Sequence, residues 1–221
     1  MRLKLLAEEP FAVETVSGTV LFADLRGYTT LAERLDPAAV VGLLEEFFAI
    51  LGQVVEDQDG VVFHLAGDSL MAAFGLGDGS ATPVRNAIEA SRAMVGAFAP
   101  VATEWARRVG ITTGIGVGVH VGPVAHAALG PPTMRRVTLI GDTVNVAARL
   151  CQRARAGEVL FSAAVAAALD EVAATDVVTL PAYTLRGRAA PIQIYCVPAR
   201  ARLVLELDAP KAELRSSAPV A

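Results

Sequence analysis

Residues 18–24 read GTVLFAD, an unbroken apolar run closed by an acid and followed by Arg26-Gly27. Such a run predicts a buried strand that ends in a turn. Asp36-Pro37 pairs an N-cap residue with proline at the first helical position. Beyond it Val40, Leu43, Leu44, Phe47, Phe48, Leu51, Val54 and Val55 keep helical spacing, which predicts a helix to about Asp57. Asp59-Gly60 marks a turn. VVFHL (61–65) and SLMAAF (69–74) predict two strands of a hairpin closed by Ala66-Gly67-Asp68. Thr82-Pro83 opens a second helix, to about Val109. Residues 111–121 predict a glycine-rich strand and 136–140 another. A helix from about Thr143 to Ala154 follows, then a strand in GEVLFS (157–162) and a short helix over 162–169. YTLRG and PIQIYCV, within 183–197, predict a last hairpin. Strands alternate with helices but also form hairpins, so the fold class is α+β with a mixed sheet. Residues 1–15 read as a lead-in, 16–198 as one domain and 199–221 as a frayed tail.

Composition narrows the function classes. Of the 221 residues 53% are hydrophobic and 19% charged, with a net charge of −4. That excludes a disordered chain and argues against nucleic acid as a partner, which asks for a basic face. Cys151 and Cys196 are the only cysteines, too few for a disulfide framework, so a reducing, cytoplasmic setting is expected. The mean hydropathy of +0.48 raises the question of a membrane span. Val109–Met134 carries no Asp, Glu, Lys or Arg, but its glycines and prolines could not stay helical in lipid. Glu8, Glu9 and Pro10 interrupt the opening apolar run, so no signal pattern is read there. The expectation is a soluble chain without a transmembrane segment, with a very apolar interior or a large apolar interface.

Three segments could carry chemistry. In FADLRGYT (22–29), Asp24 closes an apolar strand, where a carboxylate needs a partner. It either caps a turn or pairs with Arg26, or it is functional. In AGDSL (66–70), Asp68 is a second acid at a strand end, and alone it would be turn chemistry. Two such acids on adjacent strands could hold two Mg²⁺ ions about 3.5–4 Å apart, the spacing of in-line phosphoryl chemistry. In GDTVNVAARL (141–150), Asn145 and Arg149 share one helix face, set among apolar neighbours. Exposed polar stripes are common, but an arginine in that setting is a natural donor to phosphate oxygens. His120 and His126 lie in a segment without a ligand set and read as structural, as do Trp105 and both cysteines.

Together FADLRGYT (22–29), AGDSLMAAFG (66–75), LIGDTVNVAARL (139–150) and LRGRAAPIQIYCV (185–197) resemble, in order and spacing, the catalytic domain of class III nucleotidyl (adenylate/guanylate) cyclases. The resemblance spans about residues 16–198. It implies a ferredoxin-like, palm-type sheet with helices packed on it. Asp24 and Asp68 resemble the family's metal-binding aspartates, which implies two Mg²⁺ or Mn²⁺ ions as cofactors. Asn145 resembles the asparagine that orients the ribose, and Arg149 the arginine that stabilises the transition state at the α-phosphate. Arg186 stands where the family has a basic residue that grips the triphosphate. The resemblance also implies a nucleoside triphosphate substrate and a two-fold homodimer. Each of its two interface sites takes acids from one protomer and the Asn/Arg pair from the other.

Base recognition departs from the family pattern. Adenylate cyclases usually carry Lys four residues before the second Asp, and Asp or Thr seven before the Asn. Those positions are His64 and Thr138 here. Thr138 suits adenine. His64 is shorter than lysine and can donate or accept. ATP is the expected substrate, with GTP or a pyrimidine triphosphate as alternatives. A catalytically degenerate, cyclase-like binding module is the competing class, motivated by His64 and opposed by the complete Asp24, Asp68, Asn145, Arg149 set. A diguanylate cyclase is disfavoured because its Gly-Gly-Asp/Glu-Glu-Phe hairpin is replaced by AGDSL.

Overall fold

A computed structural model of the chain describes residues 13–77, 82–169, 175–184 and 190–198. Their order is β1 (Glu14–Arg26), α1 (Tyr28–Arg34), α2 (Pro37–Asp57), β2 (Val61–Ala66), β3 (Ser69–Phe74), α3 (Pro83–Val109), β4 (Gly114–Leu129), a 3₁₀ turn (Pro132–Met134), β5 (Arg136–Ile140), α4 (Asp142–Arg153), β6 (Val159–Ser162), α5 (Ala163–Ala166), β7 (Val178–Tyr183) and β8 (Ile192–Val197). The strands form one mixed sheet in the order β2-β3-β1-β4-β6-β8-β7, with β5 paired to β4 outside that path. Only the β4–β6 pairing is parallel. This is the α+β arrangement expected from the sequence.

The strand β1 organises the sheet because both neighbours pair along it. Its alternation sorts the two faces. Leu21, Ala23 and Leu25 enter the main core with α2 and α3. Val20 lies on the opposite face, with Met71, Ala73, Val124, Leu139 and Ala147 of α4. Asp36 caps α2 through its side chain, which accepts from Ala38 N. By length and mean hydropathy (21 residues, 1.8) α2 is apolar enough to cross a membrane. Here one face of it, Val40, Leu43, Phe47, Leu51 and Val55, is buried against the sheet and α3, while most of the helix remains uncovered. Trp105 is fully buried against Phe98, and its indole N–H donates to Glu46 at 2.9 Å. Cys151 and Cys196 are buried, free thiols.

Four elements differ from the sequence expectation. The strand β1 begins at Glu14 rather than in the apolar run, since Glu14–Gly18 pair with Gly122–His126 of β4. The same pairing carries β4 past residue 121 to His126, and pairing with β5 carries it on to Leu129. The seven-residue α1 has no side-chain cap and buries only Leu31, which left it without a periodic signal. The first arm of the last hairpin includes Val178–Tyr183, which shares Tyr183 with the predicted YTLRG; residues 185–187 of that segment lie outside the described residues.

Candidate active site

Asp24 lies near the end of β1, opposite Ser69 of β3 and Gly116 of β4. Its carboxylate is partly buried. One oxygen accepts a 2.7 Å hydrogen bond from the Ser69 hydroxyl, and the other pairs with the Arg26 guanidinium. Pairing with Arg26, one of the sequence alternatives, is thus realised alongside a second polar contact.

Asp68 reaches the same place through a tight turn. Gly67 takes a left-handed φ of 59°, and the Asp68 carbonyl accepts from Leu25 N at 3.1 Å, fastening the turn to the end of β1. The Asp68 carboxyl is pushed above its ordinary value, first by desolvation and then by the negative charge of Asp24. Its own backbone hydrogen bond and Arg26 offset part of that. Two acids in this relation gain from a bound cation. Among the described residues no group of three or more His, Cys, Asp or Glu side chains could hold a metal. The pair therefore offers hard carboxylate oxygens and leaves the other positions to solvent or ligand oxygens. That donor set fits a Mg²⁺-class ion, which keeps waters and binds through one or two carboxylates and phosphates.

The helix α4 lies on the same face of the sheet. The Thr143 hydroxyl donates to the Pro123 carbonyl at 2.7 Å, and Val146, Ala147, Leu150 and Cys151 are buried. Asn145 is exposed and Arg149 partly exposed on the remaining face. Neither side chain makes a hydrogen bond or ion pair to another described residue. His64 sits exposed on β2 opposite Met71, which itself pairs with Phe22, so His64 shares the face of Asp24. Thr138 lies on β5 opposite Ala127, and β5 packs against β2. Arg186 lies outside the described residues. Within one chain the structure therefore brings Asp24 and Asp68 together. Among the described residues no hydrogen bond or ion pair joins either acid to Asn145 or Arg149.

The sequence marks Arg26 only as a partner of Asp24. That arginine does more than pair with Asp24: its Nε donates to the Ala154 carbonyl at 2.9 Å, and its Nη2 donates to the Cys151 carbonyl. Its place two residues from Asp24 on one strand put it on the same face, but the partners on α4 lie 125 and 128 residues away. A cleft of about 510 Å³ also went unread. It lies where β4, β6 and β8 meet the first turn of α4, with His120 Nδ1 and Ser162 Oγ 2.6 Å apart in its wall.

The family model of the adenylate and guanylate cyclase catalytic domain matches residues 12–198. The chain is 31% identical over 143 residues to an adenylate cyclase of Anabaena cylindrica, covering 63% of this chain and 28% of that one. It is 33% identical over 147 residues to guanylyl cyclase C of Mus musculus, covering 64% and 13%. The chain thus spans less than a third of the length of these curated relatives. Among solved structures, the adenylyl cyclase CyaB from P. aeruginosa superposes with a TM-score of 0.79 at 25% identity, over 87% of this chain and 98% of that one.

Proposed function

The chain belongs to the adenylate and guanylate cyclase catalytic domain family, and from that premise we propose that it is a metal-dependent nucleotidyl cyclase. The substrate is a nucleoside triphosphate, ATP first, and the products are the 3′,5′-cyclic monophosphate and pyrophosphate. One observation carries this reading: two carboxylates meet at strand ends on the face that carries α4, whose Asn145 and Arg149 have no partner among the described residues.

The chemistry balances without a covalent intermediate. The ribose 3′-oxygen forms a bond to the α-phosphorus, its proton leaves to solvent, and the bond to the pyrophosphate oxygen breaks. Held by Asp24 and Asp68, two Mg²⁺ or Mn²⁺ ions would supply the acidifying and charge-neutralising chemistry this reaction needs. Asn145 holds the ribose in the attacking orientation. Arg149 offers its planar fork to the α-phosphate oxygens, where charge grows in the transition state. Arg186 serves the β- and γ-phosphates. Since Asn145 and Arg149 do not engage their own protomer's acids, a symmetric homodimer with two composite sites accounts for all four residues.

His64 favours a second substrate reading. An exposed imidazole with no described partner offers one donor and one acceptor where adenylate cyclases usually carry lysine. GTP or a pyrimidine triphosphate would meet that pattern through its own donors and acceptors. Buried thiols at Cys151 and Cys196 agree with a reducing, cytoplasmic setting.

The test is turnover with ATP, GTP, CTP and UTP in parallel, with Mg²⁺ or Mn²⁺ and products identified by mass. One cyclic monophosphate should dominate. Asp24→Ala and Arg149→Ala should each lower turnover by about 10²–10³. Unchanged turnover in either variant overturns the site assignment.

A further inference from the structure

Arg26 is partly buried, and each of its three nitrogens has a partner. Nη1 donates to Asp24 Oδ2, Nη2 to the Cys151 carbonyl and Nε to the Ala154 carbonyl. Both carbonyls belong to the end of α4, where the last carbonyls lack the i+4 donor of a continuing helix; Cys151 O also accepts from Ala154 N at 3.0 Å. A cation there also meets the negative end of the helix dipole. The planar fork meets the carboxylate and the two carbonyls from three separate nitrogens; a lysine ammonium would have to reach all three from a single nitrogen at the end of a flexible stem.

The sheet is shaped to admit this side chain. A Cβ on Gly116 would lie 2.6 Å from Arg26 Nη2, 2.7 Å from Nε and 2.9 Å from the Ala154 carbonyl oxygen. Two residues on, a Cβ on Gly118 would lie 2.1 Å from Cys151 N. The alternate glycines of β4 thus form a track on which Arg26 and the end of α4 are pressed together. Arg26 bonds both to the Asp24 carboxylate and to the helix that carries Asn145 and Arg149; beside it Cys151 Sγ donates to the carbonyl of Gly116, the residue opposite Asp24, at 3.2 Å.

We propose that Arg26 is a positioning residue that ties this protomer's carboxylate pair to its own α4 and thereby joins the two active sites of the dimer. The proposal rests on the composite-site reading above. In that reading a protomer's acids serve one site and its α4 serves the other. A cation arriving at Asp24 draws on the charge that Arg26 now satisfies. The arginine's grip on Cys151 and Ala154 then changes, and Asn145 and Arg149 of the opposite site feel it through α4.

Two measurements test this. The first needs no turnover. Hydrogen exchange over residues 146–154 is compared with and without Mn²⁺ in the wild-type chain and in Arg26→Gln, with Mn²⁺ binding followed by calorimetry. Mn²⁺ should change the exchange of this segment several-fold in the wild type and leave it unchanged in Arg26→Gln, although the ion still binds. An equal response in both proteins, or none in the wild type, overturns the proposal. Should Arg26→Gln not fold, Arg26→Lys takes its place, keeping the charge but not the fork.

The second uses mixed dimers in which one protomer carries Asp68→Ala and its partner Arg149→Ala, leaving one complete site. Arg26→Lys is then placed in either protomer. Turnover should fall by about tenfold or more in both placements, as misplaced catalytic groups typically show. A fall only in the acid-supplying protomer makes Arg26 a local partner of Asp24 and overturns the coupling. Mixed dimers that never regain turnover overturn the composite site itself, while the exchange measurement still reads whether Arg26 links Asp24 to α4 within one chain.

Discussion

Asp24 stands between two neighbours of opposite effect: Arg26 satisfies its charge, and Asp68 opposes it. Burial, and after it the negative charge of Asp24, pushes the Asp68 carboxyl above its ordinary 3.8. A carboxyl raised in the folded state destabilises the fold at pH values above its folded pKa. That penalty fades as pH falls through the folded value and is gone below the unfolded one. Asp68→Asn should therefore raise Tm of the metal-free chain at neutral pH. The two melting curves should converge as pH falls toward 3.8, while turnover is lost. A lower Tm for Asp68→Asn at neutral pH would show that the ionised Asp68 carboxyl does not destabilise the fold. The thiols give a second prediction at this scale. Burial pushes Cys151 up to about 12 and Cys196 up to about 11. Only the thiolate attacks an alkylating agent. Iodoacetamide at pH 8 should leave both unlabelled in the native chain and modify both in denaturant, read by mass. Fast native labelling of Cys151 would contradict its packing under Arg26.

The helix α4 is set by what it rests on. Gly118 leaves room for the Ala147 carbonyl oxygen and Cys151 N, which a Cβ would meet at 2.4 and 2.1 Å. These are backbone atoms and cannot rotate away, so Gly118→Ala must lift the helix. Overpacking of this kind costs about 3 kcal/mol, which in a domain of this size lowers Tm by roughly 6–12 °C. A melting curve that matches the wild type would mean that α4 does not lie against β4. Glycines also explain what could be read in advance at this scale. The α2 and α3 starts were legible because Asp36-Pro37 and Thr82-Pro83 combine a capping type with a proline at the first helical position. The strand β5 was legible from its short apolar run. Glycines in β4 marked a special strand, but not that they form the track under α4, because the atoms they meet on Arg26, Ala147, Cys151 and Ala154 belong to other elements, distant in sequence. The exposed β7, with Pro181 inside it, offers no alternation for a reader to find. The two acids were visible as strand endings. Their meeting depends on the β1–β3 register, which no local pattern encodes. Arg26 was legible as a partner of Asp24 and illegible as a partner of α4.

At the scale of the whole molecule, the apolar excess of the composition goes mostly into one continuous core between α2, α3 and the sheet. Part of it stays on the surface. Leu129, Met134 and Ile140 are 50%, 60% and 44% exposed along β4, β5 and the turn that joins them. Leu65 is similarly open on β2, which packs against β5. Large apolar side chains gathered on one arm are what an interface uses, whereas the same residues scattered would carry no meaning. In the proposed dimer this arm is the natural contact, because it also carries Thr138 beside the base-recognition position. Two consequences are measurable. Turnover per chain should fall on dilution from about 10 µM toward about 10 nM, since assembly follows mass action. Replacing Leu129 and Ile140 together by aspartate would bury unpaired charges only when the dimer forms. The doubly substituted chain should sediment as a monomer, keep its melting temperature, and lose turnover by tenfold or more. Turnover that is independent of concentration, or a fully active monomer, would place all four residues of the site within one chain and remove the reason for the dimer.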